Sequence, residues 1–225
     1  NVGGNAWPTE IWLTKHKMKK EILEKIKQLG GNIDNVKGNS LAEDILSITF
    51  ETVLYPKPKD TPWQTAEDAE PIYGIGEFIN ENEELFKTDK QALYDKLIQK
   101  YFCLTKEGYG QFFWQPRLFT PFKEGTDDYE EWYDDFTDED TDLTEIIKVS
   151  NDEKPDFIEV FYSYGFPDNY YICLTDPNQD NPTLFGTDHE EYFREITNEG
   201  SFEDFLNTFM TKDELLEIVK KRIEK

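Results

Sequence analysis

Twelve carboxylates and no basic residue lie between Glu124 and Glu145. The residues in this stretch with the types and spacing to act together are Asp127, Asp128, Glu130, Glu131, Asp134, Asp135, Asp138 and Asp140, with Trp132 and Tyr133 threaded among them. Their chemistry is the capture of positive charge. Carboxylates steer a cationic partner from a distance, and aromatic side chains supply contact area once it arrives. The same field repels nucleic acid. Like charges at this density also repel one another, so the expectation is a segment that does not pack by itself as helix or strand. It stays solvated or waits for a basic partner. The structural alternative is an exposed loop with no partner at all.

Other residues that could do chemistry form weaker patterns. The series Asp138, Asp140, Asp142 opens like a calcium loop, but Leu143 stands where glycine is needed and Val149 where the closing glutamate belongs. Asp176, Asn178 and Asp180 fail in the same way at Thr187. Cys103, Cys173, His16 and His189 show none of the close spacings of a zinc site. Asp188-His189-Glu190 offers an orientable imidazole without the glycine-flanked serine of a nucleophile elbow, so a histidine near a strand-to-helix junction is the reading. Gly74-Ile75-Gly76 and Gly108-Tyr109-Gly110 lack the third glycine of a dinucleotide loop and read as turns. Carboxylate pairs for glycoside hydrolysis can be drawn in many ways, which selects none of them. Neither metal nor cofactor is expected. Phe112, Phe113, Trp114, Phe119 and Phe122, with Arg117 the sole charge, read as sheet core, with an aromatic ligand groove as the functional alternative.

A folded body must carry this charge. The chain has 225 residues, enough for one large domain or two small ones, and 15% of them are aromatic, unlike a disordered chain. The net charge of −24 therefore belongs to a surface. It is uneven: residues 1–30 hold six lysines against three glutamates, a net of +3, so the rest must hold −27 to give −24. A solvated lysine face on the first helix is the plain reading, and docking of that helix on the acidic body is the other. Two cysteines in a chain this long read as small core residues of a reduced, cytoplasmic protein, not as a disulfide framework. No apolar run approaches the roughly 18 residues that span a bilayer, and no secretory core opens the chain.

The elements follow from pattern. Residues 1–14 read as an extended arm with Trp7 and Trp12, and residues 15–225 as one domain with an acidic insertion at about 124–145. Met18, Ile22, Ile26 and Leu29 repeat at helical spacing, ended by Gly30-Gly31. A short helix at 40–44 is expected before a strand at 45–55, which Pro56, Pro58 and Pro62 end, and another short strand at 72–79. Residues 82–100 are helical in one or two pieces. Residues 101–105 and 111–115 flank a turn at 107–110 and read as a hairpin. Strands follow at 157–164, 170–175 and 183–186. Ser201 with Asp204, and Thr211 with Glu214, fit capping boxes, and Leu215, Leu216, Val219 and Ile223 line the last helix. Strands and helices do not alternate as in a doubly wound sheet. The predicted class is α+β, a largely antiparallel sheet with helices from both chain ends packed on it.

Residues 156–210 carry a resemblance. Asp156-Phe157-Ile158 leads a strand, Asn169-Tyr170-Tyr171-Ile172-Cys173-Leu174 another, then come Leu184-Phe185-Gly186-Thr187-Asp188-His189-Glu190 and a helix opening Ser201-Phe202-x-x-Phe205-Leu206. This order resembles the SUKH superfamily, which includes the yeast cell-wall-synthesis regulator and many bacterial immunity proteins. The Leu-Pro-x-x-Tyr opening motif of that family is absent, and residues 45–56 occupy a related place. The resemblance implies an α+β domain without catalytic residues. In bacteria it implies a cytoplasmic antidote that binds a toxin, often a nuclease. A nuclease groove is basic, because it must hold phosphates, and an acidic protein complements it. The expectation is therefore a non-enzymatic immunity protein for a basic toxin, binding neither nucleic acid nor membrane. The runner-up is a cell-wall or glycan-associated regulatory protein with an aromatic groove. A carboxylate hydrolase is the third reading.

Overall fold

A computed structural model describes residues 18–57, 70, 73–103, 110–164 and 168–223. The expected arm at 1–14, most of the proline-rich stretch and the turn at 107–109 lie outside the described residues. The elements run α1 (Lys20–Gln28), β1 (Gly31–Asn32), α2 (Leu41–Ser47), β2 (Thr49–Phe50), β3 (Tyr55–Pro56), α3 (Ile75–Glu81), α4 (Glu83–Thr88), α5 (Lys90–Tyr101) and β4 (Phe112–Phe119). There follow α6 (Asp127–Thr137), α7 (Thr144–Ser150), β5 (Phe157–Ser163), β6 (Asn169–Cys173), β7 (Thr183–Asp188), β8 (Tyr192–Ser201), α8 (Phe202–Thr208), β9 (Phe209–Met210) and α9 (Lys212–Ile223).

The five long strands form one antiparallel sheet in the order β4-β5-β6-β7-β8. The class is α+β, as the order of patterns predicts. Register explains why the strands read as apolar throughout. Ile158 pairs with Ile172 and Ile172 with Leu184, while Phe157 pairs with Cys173 and Tyr171 with Phe185, so the two sets point to opposite faces. The Ile158, Ile172 and Leu184 face buries against α1, α2 and α8 through Ile22, Ile26, Ile45, Phe202 and Leu206. The Phe157, Tyr171 and Phe185 face buries against Phe136 of α6 and Ile146 of α7. A third cluster joins α3, α5 and α9 through Phe78, Leu97 and Leu215, with Tyr55 and Phe113.

Local chemistry sets the boundaries. Ser201 Oγ accepts from Asp204 N at 3.1 Å and starts α8. Thr211 and Glu214 cap each other reciprocally at the start of α9, at 2.7 and 3.2 Å. Phe202, Phe205, Leu206, Leu215 and Val219 are buried, as their helical spacing implies, and Leu216 is half-buried. α1 stops where Gly30 takes a φ of +100°. Its Lys20 and Lys27 are exposed and Lys19 reaches Glu203 at 3.4 Å, so the lysine face is mostly solvated.

Four expectations are corrected. The short helix expected at 40–44 forms but runs on through Ser47 as α2, capped by Ser40 with Leu41 and Ile45 at helical spacing, and the expected strand at 45–55 is reduced to the two-residue strands β2 and β3. The strand at 72–79 is the helix α3, entered through Gly74 at φ +77°. Of the hairpin expected at 101–115, residues 104–109 lie outside the described residues; among the described ones Tyr101 ends α5 and β4 pairs with β5. The acidic segment is not an unpacked stretch but the helix α6, docked on the sheet.

Candidate functional site

α6 forms because its charges and its apolar groups separate onto two faces. Asp127, Glu130, Glu131, Asp134, Asp135 and Asp138 follow one another at steps of three and four, so they share one side. All six are exposed. Tyr129, Trp132, Tyr133 and Phe136 share the other side. Phe136 is buried, with its ring 4.4 Å from that of Phe193, 5.1 Å from Phe122 and 5.7 Å from Phe119. Trp132 meets Phe119 edge-on at 6.1 Å and Tyr192 at 5.7 Å.

The start of the helix uses its acids well. Thr126 Oγ1 accepts from Tyr129 N at 3.2 Å and donates to Lys123 O at 2.8 Å. Asp127, Asp128 and Glu130 stand in the first turn, at the positive end of the helix dipole. Asp128 turns back instead of outward. It accepts from Thr120 N at 2.9 Å and from Arg117 Nη1 at 3.1 Å. Arg117 Nε also donates to Glu159 Oε2 at 2.6 Å, and the guanidinium lies 5.1 Å from the Phe119 ring centre. Burial pushes the Glu159 carboxyl above its usual range, and Arg117 draws it back part of the way. Asp142 N donates to Phe193 O at 3.0 Å, tying the segment after α6 to β8.

Repulsion remains along the exposed stripe. Each like-charged pair three or four residues apart costs about 0.2–0.5 kcal/mol in a helix. Burial of Phe136 contributes about 1.5–3 kcal/mol and partial burial of Trp132 adds to it. Docking thus holds together an element that its own charges oppose, and a cation laid on the stripe relieves that opposition.

The expected site residues divide accordingly. Asp127, Glu130, Glu131, Asp134, Asp135, Asp138 and Asp140 are exposed. Asp128 is bound to Arg117 and Thr120 within the protein, so it serves the fold. Trp132 and Tyr133 are half-buried, Trp132 against the sheet and Tyr133 at 4.4 Å from Tyr129, so neither projects freely as an anchor. Sequence reasoning missed the turn opposite α6. Glu190, Glu191, Tyr192 and Arg194 join Trp132, Asp135 and Phe136 around a hollow of about 170 Å³. The signal was the aromatic pair Tyr192-Phe193 directly after a run of acids.

The other motifs resolve into structure. His189 lies in the turn between β7 and β8, not at a strand-to-helix junction. Its Nδ1 is 3.0 Å from Asp168 Oδ1 and 3.8 Å from Asp188 Oδ2. The hydrogen bond to Asp168 raises its pKa above 6.5, and the Asp188 charge adds to this. These three are the described residues whose spacing could hold a cation, with one ligand atom each. Three such ligands leave a hard divalent ion mostly solvated. Asp176 is buried and accepts from Asn178 N and Thr183 N, both at 2.7 Å, which is turn chemistry. Phe113, Trp114 and Phe119 are buried in the core, and Phe112 and Phe122 pack half-buried against it, as expected of sheet core. A polar cavity of about 240 Å³ opens beside Asp168, Glu195 and Glu199. Burial, then the Asp168 charge, raises the Glu199 pKa. Gly186 makes room for that carboxylate, since a Cβ there would stand 2.8 Å from Glu199 Oε1.

No protein-family model, no curated protein sequence and no solved structure matches the chain.

Proposed function

We propose that this protein is a non-enzymatic binding protein whose exposed α6 face docks a basic protein. The observation behind this is the acidic stripe, carried on an ordered helix that is fixed to the sheet by Phe136 and Trp132. A fixed stripe presents its charges in one geometry, so a partner loses less freedom on binding than it would against a loose tail. With the SUKH resemblance of residues 156–210, this reading becomes a bacterial immunity protein that blocks the basic groove of a toxin, a nuclease being the partner that fits best. The burial of Phe113, Trp114 and Phe119, three of the aromatic residues that suggested a glycan groove, favours the acidic face over that alternative.

The test is co-expression with basic nuclease toxin domains that arrest growth. The parent chain should restore growth. The variant with Asp134, Asp135, Asp138 and Asp140 changed to Asn should restore it poorly while keeping its melting temperature. Full rescue by that variant would place the interface elsewhere.

One observation favours a second reading, a carboxylate hydrolase. Glu199, whose pKa burial and then the Asp168 charge push above the usual range, lines a polar cavity together with Asp168, the kind of pairing that acid–base chemistry uses. Turnover of chromogenic glycosides that is lost in Glu199→Gln would support it. No turnover across such a panel would remove it.

A further inference from the structure

We infer that the hollow between α6 and the β7–β8 turn receives one arginine side chain of the basic partner, which sets the register of a contact otherwise driven by diffuse charge. This inference rests on the binding reading above and adds the point of engagement.

The shape comes first. Phe136 and Phe193 are buried with their rings 4.4 Å apart, and they form the floor. Trp132 and Tyr192 form the walls, with ring centres 5.7 Å apart and planes inclined at 53°. Rings so inclined leave part of each face uncovered. Tyr192 is 41% exposed, one of few large hydrophobic side chains so open among the described residues. Its backbone has a φ of +48°, a conformation that a bulky L residue rarely adopts. The hollow, about 170 Å³, suits the end of one side chain and not a folded segment.

The charge selects the occupant. Asp135, Glu190 and Glu191 line the hollow against the single cation Arg194, a local net of −2. A cation between aromatic faces is held by the ring quadrupoles as well as by the carboxylates. Guanidinium fits better than ammonium. It is planar, stacks on aromatic faces, is weakly hydrated and offers a fork of donors to a carboxylate. Asp135 belongs to the hollow and to the acidic stripe at once, so an arginine seated here continues the charged contact along α6. Arg194 lines the same hollow, so its charge opposes that of an incoming cation.

Titration of the ¹⁵N-labelled full chain with N-acetyl-arginine methylamide tests this, read at the Trp132 indole N–H and identified by its loss in Trp132→Phe. A saturable shift of that signal is expected. The neutral isostere N-acetyl-citrulline methylamide should bind about tenfold more weakly. Tyr192→Leu and Asp135→Asn should each weaken the arginine probe, and Arg194→Ala should tighten it, with the rest of the spectrum unchanged. Equal binding of citrulline and arginine would overturn the inference. A deca-arginine peptide separates this from the broader reading. If it shifts the amides of Asp127, Glu130 and Asp134 while the single-arginine probe leaves Trp132 unmoved in both parent and Arg194→Ala, the hollow is not the seat and the acidic face stands. If deca-arginine leaves α6 unmoved as well, both fall.

Discussion

At the scale of single residues, Phe136 decides whether the acidic helix exists. Its ring meets those of Phe119, Phe122, Phe157 and Phe193, and no other side chain of α6 is fully buried. Phe136→Ala should cost about 3–5 kcal/mol by chemical denaturation. It should also remove hydrogen-exchange protection from α6 before that of β5. A small loss with α6 still protected would mean that Trp132 and the caps suffice. His189 supports a pH experiment. Asp168 raises its pKa in the folded state, so the stabilisation is fully present below the unfolded value near 6.5. It is lost as pH rises through the folded value. Stability of the parent should therefore fall across that window, and His189→Gln should flatten the fall. Parallel curves for the two proteins would show that the Asp168 contact adds nothing. Of the residues singled out by type alone, seven carboxylates are exposed, as the proposed capture of a cation requires. Asp128 does not, because Arg117 and Thr120 claim it, and no spacing rule reveals a partner eight or eleven residues away.

At the scale of elements, α6 depends on its beginning as well as its docking. Thr126→Ala removes the acceptor for Tyr129 N and should cost about 1 kcal/mol, with Thr126→Ser restoring most of it. Equal stability of all three proteins would show that the first turn is held by Asp128 alone. Helices α4 and α5, strands β5, β6 and β7, and both capping boxes were legible, since each carries a strong period or a local signature. The α6 helix was not, although Trp132 and Phe136 stand four apart. Charge density masked the period, and only the aromatic sheet face beneath it makes the helix worth forming. The end of α2 and most of α3 were read as strand because short runs of β-branched residues do not distinguish the two states. β8 went unseen because it is a polar edge strand, and with it the turn that completes the hollow opposite Trp132.

At the scale of the whole molecule, a sheet buried on both faces lets a small acidic helix stand rigidly in water. Helices from near the two chain ends cover one face, and the acidic segment covers the other. Among the described residues no helix is long and apolar enough to cross a membrane. A net charge of −24 attracts basic proteins from a distance, and in the proposed role the α6 stripe is where such a partner docks. The most direct measurement of the proposed role is the association rate between this protein and a basic toxin domain whose toxicity it suppresses on co-expression, followed by stopped flow over a range of salt. Asp134, Asp135, Asp138 and Asp140 changed together to Asn should slow association about tenfold or more at low salt and flatten its salt dependence. The rates of parent and variant should converge near 1 M salt, where screening reaches about 3 Å, with dissociation little changed. Identical association rates for parent and variant at every salt concentration would contradict the assignment of the α6 face.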